Sequence, residues 1–479
     1  MTISRLISAV CPILVVMGMT SAPNPIHAAQ TPSSKPAPEP PKLAPDLVWT
    51  SPSKFTLWYD HPATDAHLDW LPVGDRNTCC RIAGGVDSDD TEFESIYRYP
   101  RGDMPIVYPE YMRENVLTES MHISLPDQTV YTNYHRDLDL TQAVAHVSYT
   151  LSGIHYSRTC FWSVPDRVLV IQFDADRRAS YTGVITLTSP RTDTITATTD
   201  TLFGSGTWTA GESYSSEIRV QHDGGTLTTN GHEIDFSHCN GLTIISANDD
   251  SFGDPKLPTV ASRIATASLK SESSMLNAHI QDYRSQNDLS TFSLSGTTPD
   301  RLALPTDKRL LLATDGSDPN LESLSIAYLK YQRIASGSAL TPAQTPAILT
   351  GDTLSDKTHK LLTSETPNLL LQRRNGIQLD NQLTQSINQA LLSYNDGEID
   401  LLPGLPGDWK AGYASGLIAG TDFTVDVTWI HGNLATVMIH SLTGKPATVR
   451  CGKTTANIQI KAGKSLHLGS YLAPELGGG

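Results

Sequence analysis

Along residues 145–151 the chain alternates strictly, with Ala145, Val147, Tyr149 and Leu151 apolar and His146, Ser148 and Thr150 polar. A period of two sends successive side chains to opposite faces, so this segment reads as a strand with one buried and one wet face. Ser152 and Gly153 follow as a hairpin turn, and Ile154 and Tyr156 return against His155 and Ser157. The run Val168, Leu169, Val170, Ile171 is continuously apolar, the pattern of a strand covered on both sides. Ile185 and Leu187, interleaved with Thr186 and Thr188, supply another strand, and threonine-rich alternation continues through residues 218–220 and 242–245.

After Pro258 the period changes. Val260, Ile264 and Ala267, then Leu276, Ile280 and Tyr283, recur at helical spacing, and Leu324, Ala327, Tyr328, Tyr331 and Ile334 predict a helix over residues 320–336. Alternation returns at Phe423, Val425 and Val427 and continues through Val437, Ile439, Val449 and residues 458–460, with Gly432, Gly444 and Gly452 at turns. The pattern predicts a β-rich multidomain (α+β) protein: an N-terminal β-sandwich over residues 46–254, helices after it and a small C-terminal β-domain over 403–475; the resemblance given below makes 255–340 a helical linker with a first barrel helix and 341–402 a truncated barrel remnant.

Two segments precede these domains. Residues 1–29 carry Arg5, a largely apolar run and small residues at Ala28 and Ala29, which reads as a cleaved secretory signal, and residues 30–45 form a proline-rich tether. The expectation is a secreted or periplasmic protein with no membrane span after signal cleavage. The 479-residue chain has a formal net charge of −15 and no concentrated basic stretch, which excludes nucleic acid as a partner class and suits neutral ligands such as glycans or oligosaccharides. Beyond Cys11 in the signal, Cys79, Cys80, Cys160, Cys239 and Cys451 make an odd set with no zinc-site spacing, so at least one thiol stays unpaired and no metal or cofactor is implied.

The residue series from Arg136 to Asp176, RDLDL…A…VSYT..G..YSR..F.S.PD.VLVI…AD, resembles the N-terminal β-domain of glycoside hydrolase family 95, the α-L-fucosidase type. LWYDHP at residues 57–62 resembles that family's opening strand, and residues 71–85, ending in Gly84 and Gly85, occupy the place of its glycine-rich turn. AHIQDYR, with His279, Asp282 and Tyr283, and LPTDKRL at 304–310 resemble its linker, and NDGEIDLLPGLP at 395–406 resembles its final junction. Where the family has an Asn-Glu-Asp-Thr-Leu-Trp type motif near the active-site mouth, residues 90–98 read DTEFESIYR. PAILTG at 346–351 resembles a signature early in the family's helical barrel, and NLLLQRRNGIQLD at 368–380 one near its far end. A toroid of twelve helices needs roughly 200 residues. The interval from 336 to 368 has no room for one. The helices predicted over 320–336 and 383–392 would therefore need another partner for their apolar faces, or leave them exposed.

The resemblance implies inverting hydrolysis, in which a carboxylic acid protonates the leaving oxygen and an amide pair, polarised by an Asp, activates water. Asp380 is the position that matches the polarising Asp. The acid and the amide pair belong to the missing interval. The implied function is that of an α-L-fucosidase-type glycoside hydrolase impaired in catalysis, with a non-catalytic carbohydrate-binding or vestigial protein as the alternative. His222, His232, Glu233 and His238 lie close in sequence without the spacing that puts two ligands on one helical face, and read as polar strand positions. Trp58, Tyr59, Trp70, Trp162 and Trp409 are candidates for stacking on sugars or for core packing.

Overall fold

The computed structural model describes residues 54–64, 69–75, 78–97, 114–126, 129–189, 194–207, 213–250, 258–287, 292–312, 318–335 and 387–474. The predicted signal, the tether, most of the barrel remnant and Asp380 lie outside them.

Two antiparallel sheets formed by strands between Thr56 and Asp250 pack face to face. The nine-stranded sheet places Thr56–Tyr59 beside Tyr131–Asp139, then Val144–Leu151, Ile154–Ser163 and Val168–Ala175 in sequence, and continues through Gly241–Asp250 and Ser213–Asp223 to Thr201–Thr207 and Thr194–Ala197. The seven-stranded sheet is centred on Tyr181–Thr188, Glu114–Ser124 and Ser88–Tyr97. Between them Val147, Tyr149, Trp162, Leu169 and Ile171 meet Phe93, Met121, Ile123, Ile185 and Phe236. Alternation explains the registry: Ala145, Val147 and Tyr149 point inward, and Ser152 and Gly153 close the hairpin with φ of 52° and 76°, the left-handed pair that matches strand twist.

The run from Val168 to Ile171 is buried throughout, and its two faces have different covers. Leu169 and Ile171 face the second sheet, whereas Val168 and Val170 pack with Val144, Phe161 and Ile245 under helix α1 (Val260–Ala267) and helix α2 (Glu272–Asn287). Thr259 caps α1 by accepting from the Ser262 amide. Helix α2 is fastened through His279, whose Nε2 reaches the carbonyls of Gln142 and Ala143 at 3.0 and 3.1 Å, and through Tyr283, which donates to the Leu140 carbonyl at 2.8 Å.

Helix α3 (Pro299–Leu302) and helix α4 (Thr306–Leu312) lead into helix α5 (Pro319–Ala335). Arg309 of α4 holds Asp318 with two bonds, at 2.9 and 2.8 Å, just before α5 begins. Helix α5 has the apolar stripe expected from the sequence, and it is covered. Leu321, Leu324, Tyr328 and Tyr331 join the sandwich core, Tyr331 donates to the Pro72 carbonyl at 2.6 Å, and Ile326 faces the C-terminal core. The close approach requires Gly74: a Cβ there would stand 2.2 Å from the Thr78 carbonyl oxygen and 2.4 Å from that of Ala335.

The C-terminal region is a second, smaller pair of sheets. Five strands run in the order Phe292–Leu294, Ala411–Ala419, Phe423–Ile430, Asn433–Ser441, Ser465–Gly469, and four in the order Leu392–Asn395, Glu398–Leu401, Pro446–Cys451, Thr454–Gln459. This domain differs from the sequence expectation at its start: a strand from the linker forms its edge, and strands at 392–401 enter its second sheet. Cys79, Cys80, Cys160, Cys239 and Cys451 are unpaired, and burial pushes the Cys79 thiol up to about 12.

Candidate functional site

An open cleft of about 290 Å³ lies at one end of the sandwich, between the loop carrying Pro62, Thr64 and Trp70 and the turn from Gly85 to Asp90, with Tyr131 on its wall. Two arginines that flank Val147, on the strands either side of Val144–Leu151, hold its sides. Arg136, in Tyr131–Asp139, is fully buried; its Nε donates to the His61 carbonyl at 3.0 Å and its Nη1 to the Asp69 carbonyl, and its guanidinium lies 4.3 Å over the Tyr59 ring. Asp69 in turn accepts the Thr64 amide at 2.8 Å. One wall of the cleft is thereby tied to the sheet.

The other wall depends on Arg158, in Ile154–Ser163. Its Nη1 donates to the Gly85 carbonyl at 2.6 Å and to Asp89 Oδ2 at 2.7 Å. Asp89 Oδ1 accepts the amides of Gly84 and Gly85 at 2.7 and 3.1 Å, and Tyr134 donates its hydroxyl to the Gly84 carbonyl. Burial raises the Asp89 carboxyl above its ordinary range, against the pull of Arg158 and the two amides. Gly84 has φ of +73°, and a Cβ at Gly85 would sit 1.8 Å from the Ser88 carbonyl oxygen, so both glycines are needed. The arginines of the RD and SR pairs in the family-like series are therefore the framework of this cleft.

At the mouth, Asp87 is exposed and Asp90 is half-buried, with His122 Nδ1 at 2.7 Å from Asp90 Oδ1. Farther along the same strand, Glu94 is buried and receives Arg81 Nε at 3.1 Å. Two carboxylates of residues 90–98, the stretch that stands in place of the family-like motif, are thus each engaged by a basic side chain. The cleft offers aromatic faces, hydroxyls and hydrogen-bond acceptors. No group of three or more His, Cys, Asp or Glu able to hold a metal occurs among the described residues.

The other sequence candidates separate. Asp380 lies outside the described residues. His222 binds the Gly224 carbonyl at 2.6 Å, His238 meets Ser237 Oγ at 2.7 Å, and Glu233 accepts from Asn230 at 3.1 Å, which are turn and strand-surface contacts. Trp162 and Trp409 are core residues, Trp58 stacks on His135 at 5.1 Å, and Trp70 reaches the cleft. The two arginines were visible in sequence as letters of a series, without a role. The signal was available: each occupies an inward position of an alternating strand, where a charge requires a partner.

On the outer face of the same strands, buried Asp137 accepts from His135 Nε2 and His146 Nδ1, both at 3.0 Å. Burial pushes Asp137 up, but the two imidazoles outweigh it and hold the carboxyl below its ordinary value; burial pulls His146 down, but Asp137 and Asp139 leave it raised. The Asp137 contribution is present above its unfolded value and lost as pH falls through the lowered one. The His146 contribution is present below its unfolded value and lost as pH rises through the raised one. The stability difference between the native chain and Asp137→Asn is therefore expected to peak between about pH 4 and 6.5, at about 1–3 kcal/mol. The alkaline limb is shallower because His146 is 36% exposed and screened. Denaturant titrations of both proteins from pH 3 to 9 check this, and a difference that does not vary with pH would refute it.

Among the described residues, no helix is long and apolar enough to cross a membrane. In comparisons with known proteins, the N-terminal domain of glycosyl hydrolase family 65 matches residues 114–254, and the C-terminal domain of glycoside hydrolase family 95 matches residues 394–469. Alpha-L-fucosidase 2 of Arabidopsis thaliana is 24% identical over 246 residues, covering 43% of this chain and 29% of that protein. The match thus spans under a third of the relative's length. Among solved structures, a chain named for kojibiose phosphorylase, from the human microbiome, aligns with a TM-score of 0.46 and 9% identity over 87% of this chain and 98% of that one. A bacterial glucoamylase complexed with acarbose aligns with a TM-score of 0.29 and 8% identity over 58% of this chain and 44% of that one. The chain thus resembles glycosyl hydrolase family 65 over residues 114–254 and glycoside hydrolase family 95 over residues 394–469.

Proposed function

We propose that this protein is an exported, glycan-directed member of the family 95-like group whose hydrolytic capacity is impaired, so that its remaining competence is binding. The observation that carries this reading is the state of the strand Ser88–Tyr97. Asp89 is paired with Arg158, Asp90 with His122 and Glu94 with Arg81. A general acid must present a free carboxyl to the leaving oxygen, and each of these three is already engaged by a basic side chain. The spacing from 336 to 368, too short for a helical toroid, supports the same reading, and Asp380 is left as the single match to the inherited polarising Asp. Export rests on the signal-like residues 1–29.

The purified mature chain is expected to leave an aryl α-L-fucoside at its spontaneous hydrolysis rate while binding glycans saturably. Turnover well above that rate, abolished by Asp380→Ala, would overturn the impairment. Failure to bind any glycan on an array would overturn the glycan-directed reading itself.

A further inference from the structure

We propose that the cleft between Trp70 and the Gly85–Asp90 turn is a sugar-binding site in its own right, one that takes the terminal ring of a neutral glycan and does so without any contribution from the Asp380 segment. The inference rests on the glycan-directed reading above and deepens it by naming the place and the ligand class.

Size sets the first limit. At about 290 Å³ the cleft is at the lower end of the range of small-molecule sites, enough for one sugar ring and too little for an extended chain. Its composition sets the second. Trp70 and Tyr131 offer flat apolar surface to the C–H face of a pyranose, and Tyr131 is braced from behind by Tyr134 and Tyr149, with ring centroids 5.7 and 6.3 Å away. Ser88, Asp87 and Asp90 line the cleft opposite them with oxygen atoms that accept hydrogen bonds from sugar hydroxyls. Among the described residues the lining holds two carboxylates and no cation, which disfavours a carboxylate-bearing ring such as a uronic or sialic acid. Rigidity is the third observation. The walls are held at backbone carbonyls and amides by Arg136 and by the Arg158–Asp89 pair, so little ordering remains for the ligand to impose.

The test uses the full mature chain on an array that carries neutral-terminal and uronate- or sialate-terminal oligosaccharides, followed by calorimetry with the strongest neutral ligand. Trp70→Ala is expected to weaken that ligand about tenfold. Asp87→Lys, which changes an exposed side chain and keeps the backbone carbonyl that accepts the Leu125 amide, is expected to weaken it severalfold and to raise binding of uronate-terminated glycans. Tyr413→Ala, which removes an exposed tyrosine of the C-terminal sheet, is expected to change nothing. Neutral-glycan binding that survives both cleft substitutions unchanged would overturn the site while leaving the glycan-directed reading in place. A native preference for acidic glycans would overturn the ligand class. A chain that binds no glycan would remove the reading on which the site rests.

Discussion

Arg158→Met is expected to destabilise the protein by about 3–5 kcal/mol, because it removes one partner of a fully buried ion pair and strands the other. Arg158 and Asp89 are each 1% exposed. Methionine fills much of the arginine volume, so lost packing contributes less than the uncompensated carboxylate. Without the guanidinium, burial dominates the Asp89 carboxyl, and its folded value rises further above the unfolded one. A carboxyl raised in this way contributes stability below its unfolded value and loses it as pH rises through the folded one. The variant should therefore regain more stability on mild acidification than the native chain does. The double variant Arg158→Met/Asp89→Asn should be more stable than the sum of the single changes predicts, by about 2 kcal/mol. Denaturant midpoints for the four proteins at pH 5 and pH 7 decide it, and strict additivity with no acid rescue would show that the pair is not the unit described. Because Arg158 also holds the Gly85 carbonyl, glycan affinity at the cleft should fall in the same variant.

Trp409→Ala carries the second large effect, about 3–5 kcal/mol for removing a buried aromatic side chain. Trp409 lies tilted against Phe292 with ring centroids 4.9 Å apart, accepts the Trp429 indole through its carbonyl at 2.9 Å and donates its own indole to Glu322 of α5 at 2.9 Å. Helix α5 is shared property: Glu322 and Ile326 face the C-terminal core while Leu324, Tyr328 and Tyr331 are buried with the sandwich. Loss of Trp409 should thus weaken the C-terminal domain and its tie to the sandwich together. Calorimetry is expected to show the C-terminal domain melting first, as a separate transition, with Trp409→Phe falling between the variant and the native chain. A single transition shifted to lower temperature would mean that the two cores unfold as one despite the lost tie.

The connection through α5 shows how far local patterning reaches. Its apolar stripe at Leu324, Ala327, Tyr328 and Tyr331 is plain in the sequence and predicts a helix with one buried face. What lies against that face is not written there. The family resemblance pointed to barrel neighbours, and the fold supplies the Leu71–Gly74 strand instead, with Tyr331 bonded to Pro72. The cleft followed the same division. Gly84 and Gly85 were legible as a turn and Trp70 as a possible sugar-stacking residue. The Arg158–Asp89 bond spans 69 residues of sequence, and nothing local distinguishes Asp89 from Asp87 or Asp90.

The sequence by itself determined the strands and their buried faces from Val144 to Leu187, the hairpin at Ser152 and Gly153, the helical stretch after Pro258, the β-rich C-terminal end and the family likeness. These are properties of periods of two and of 3.6 residues and of turn chemistry, which act over a few neighbours. Only the tertiary structure decided that the outer face of Val168 and Val170 is closed by α1, that Phe292–Leu294 crosses to the C-terminal sheet, that α5 joins two cores, and that two buried arginines shape a cleft. Those outcomes depend on which distant surfaces fit and on which buried charges find partners, and a one-dimensional pattern carries the demand for a partner without its address.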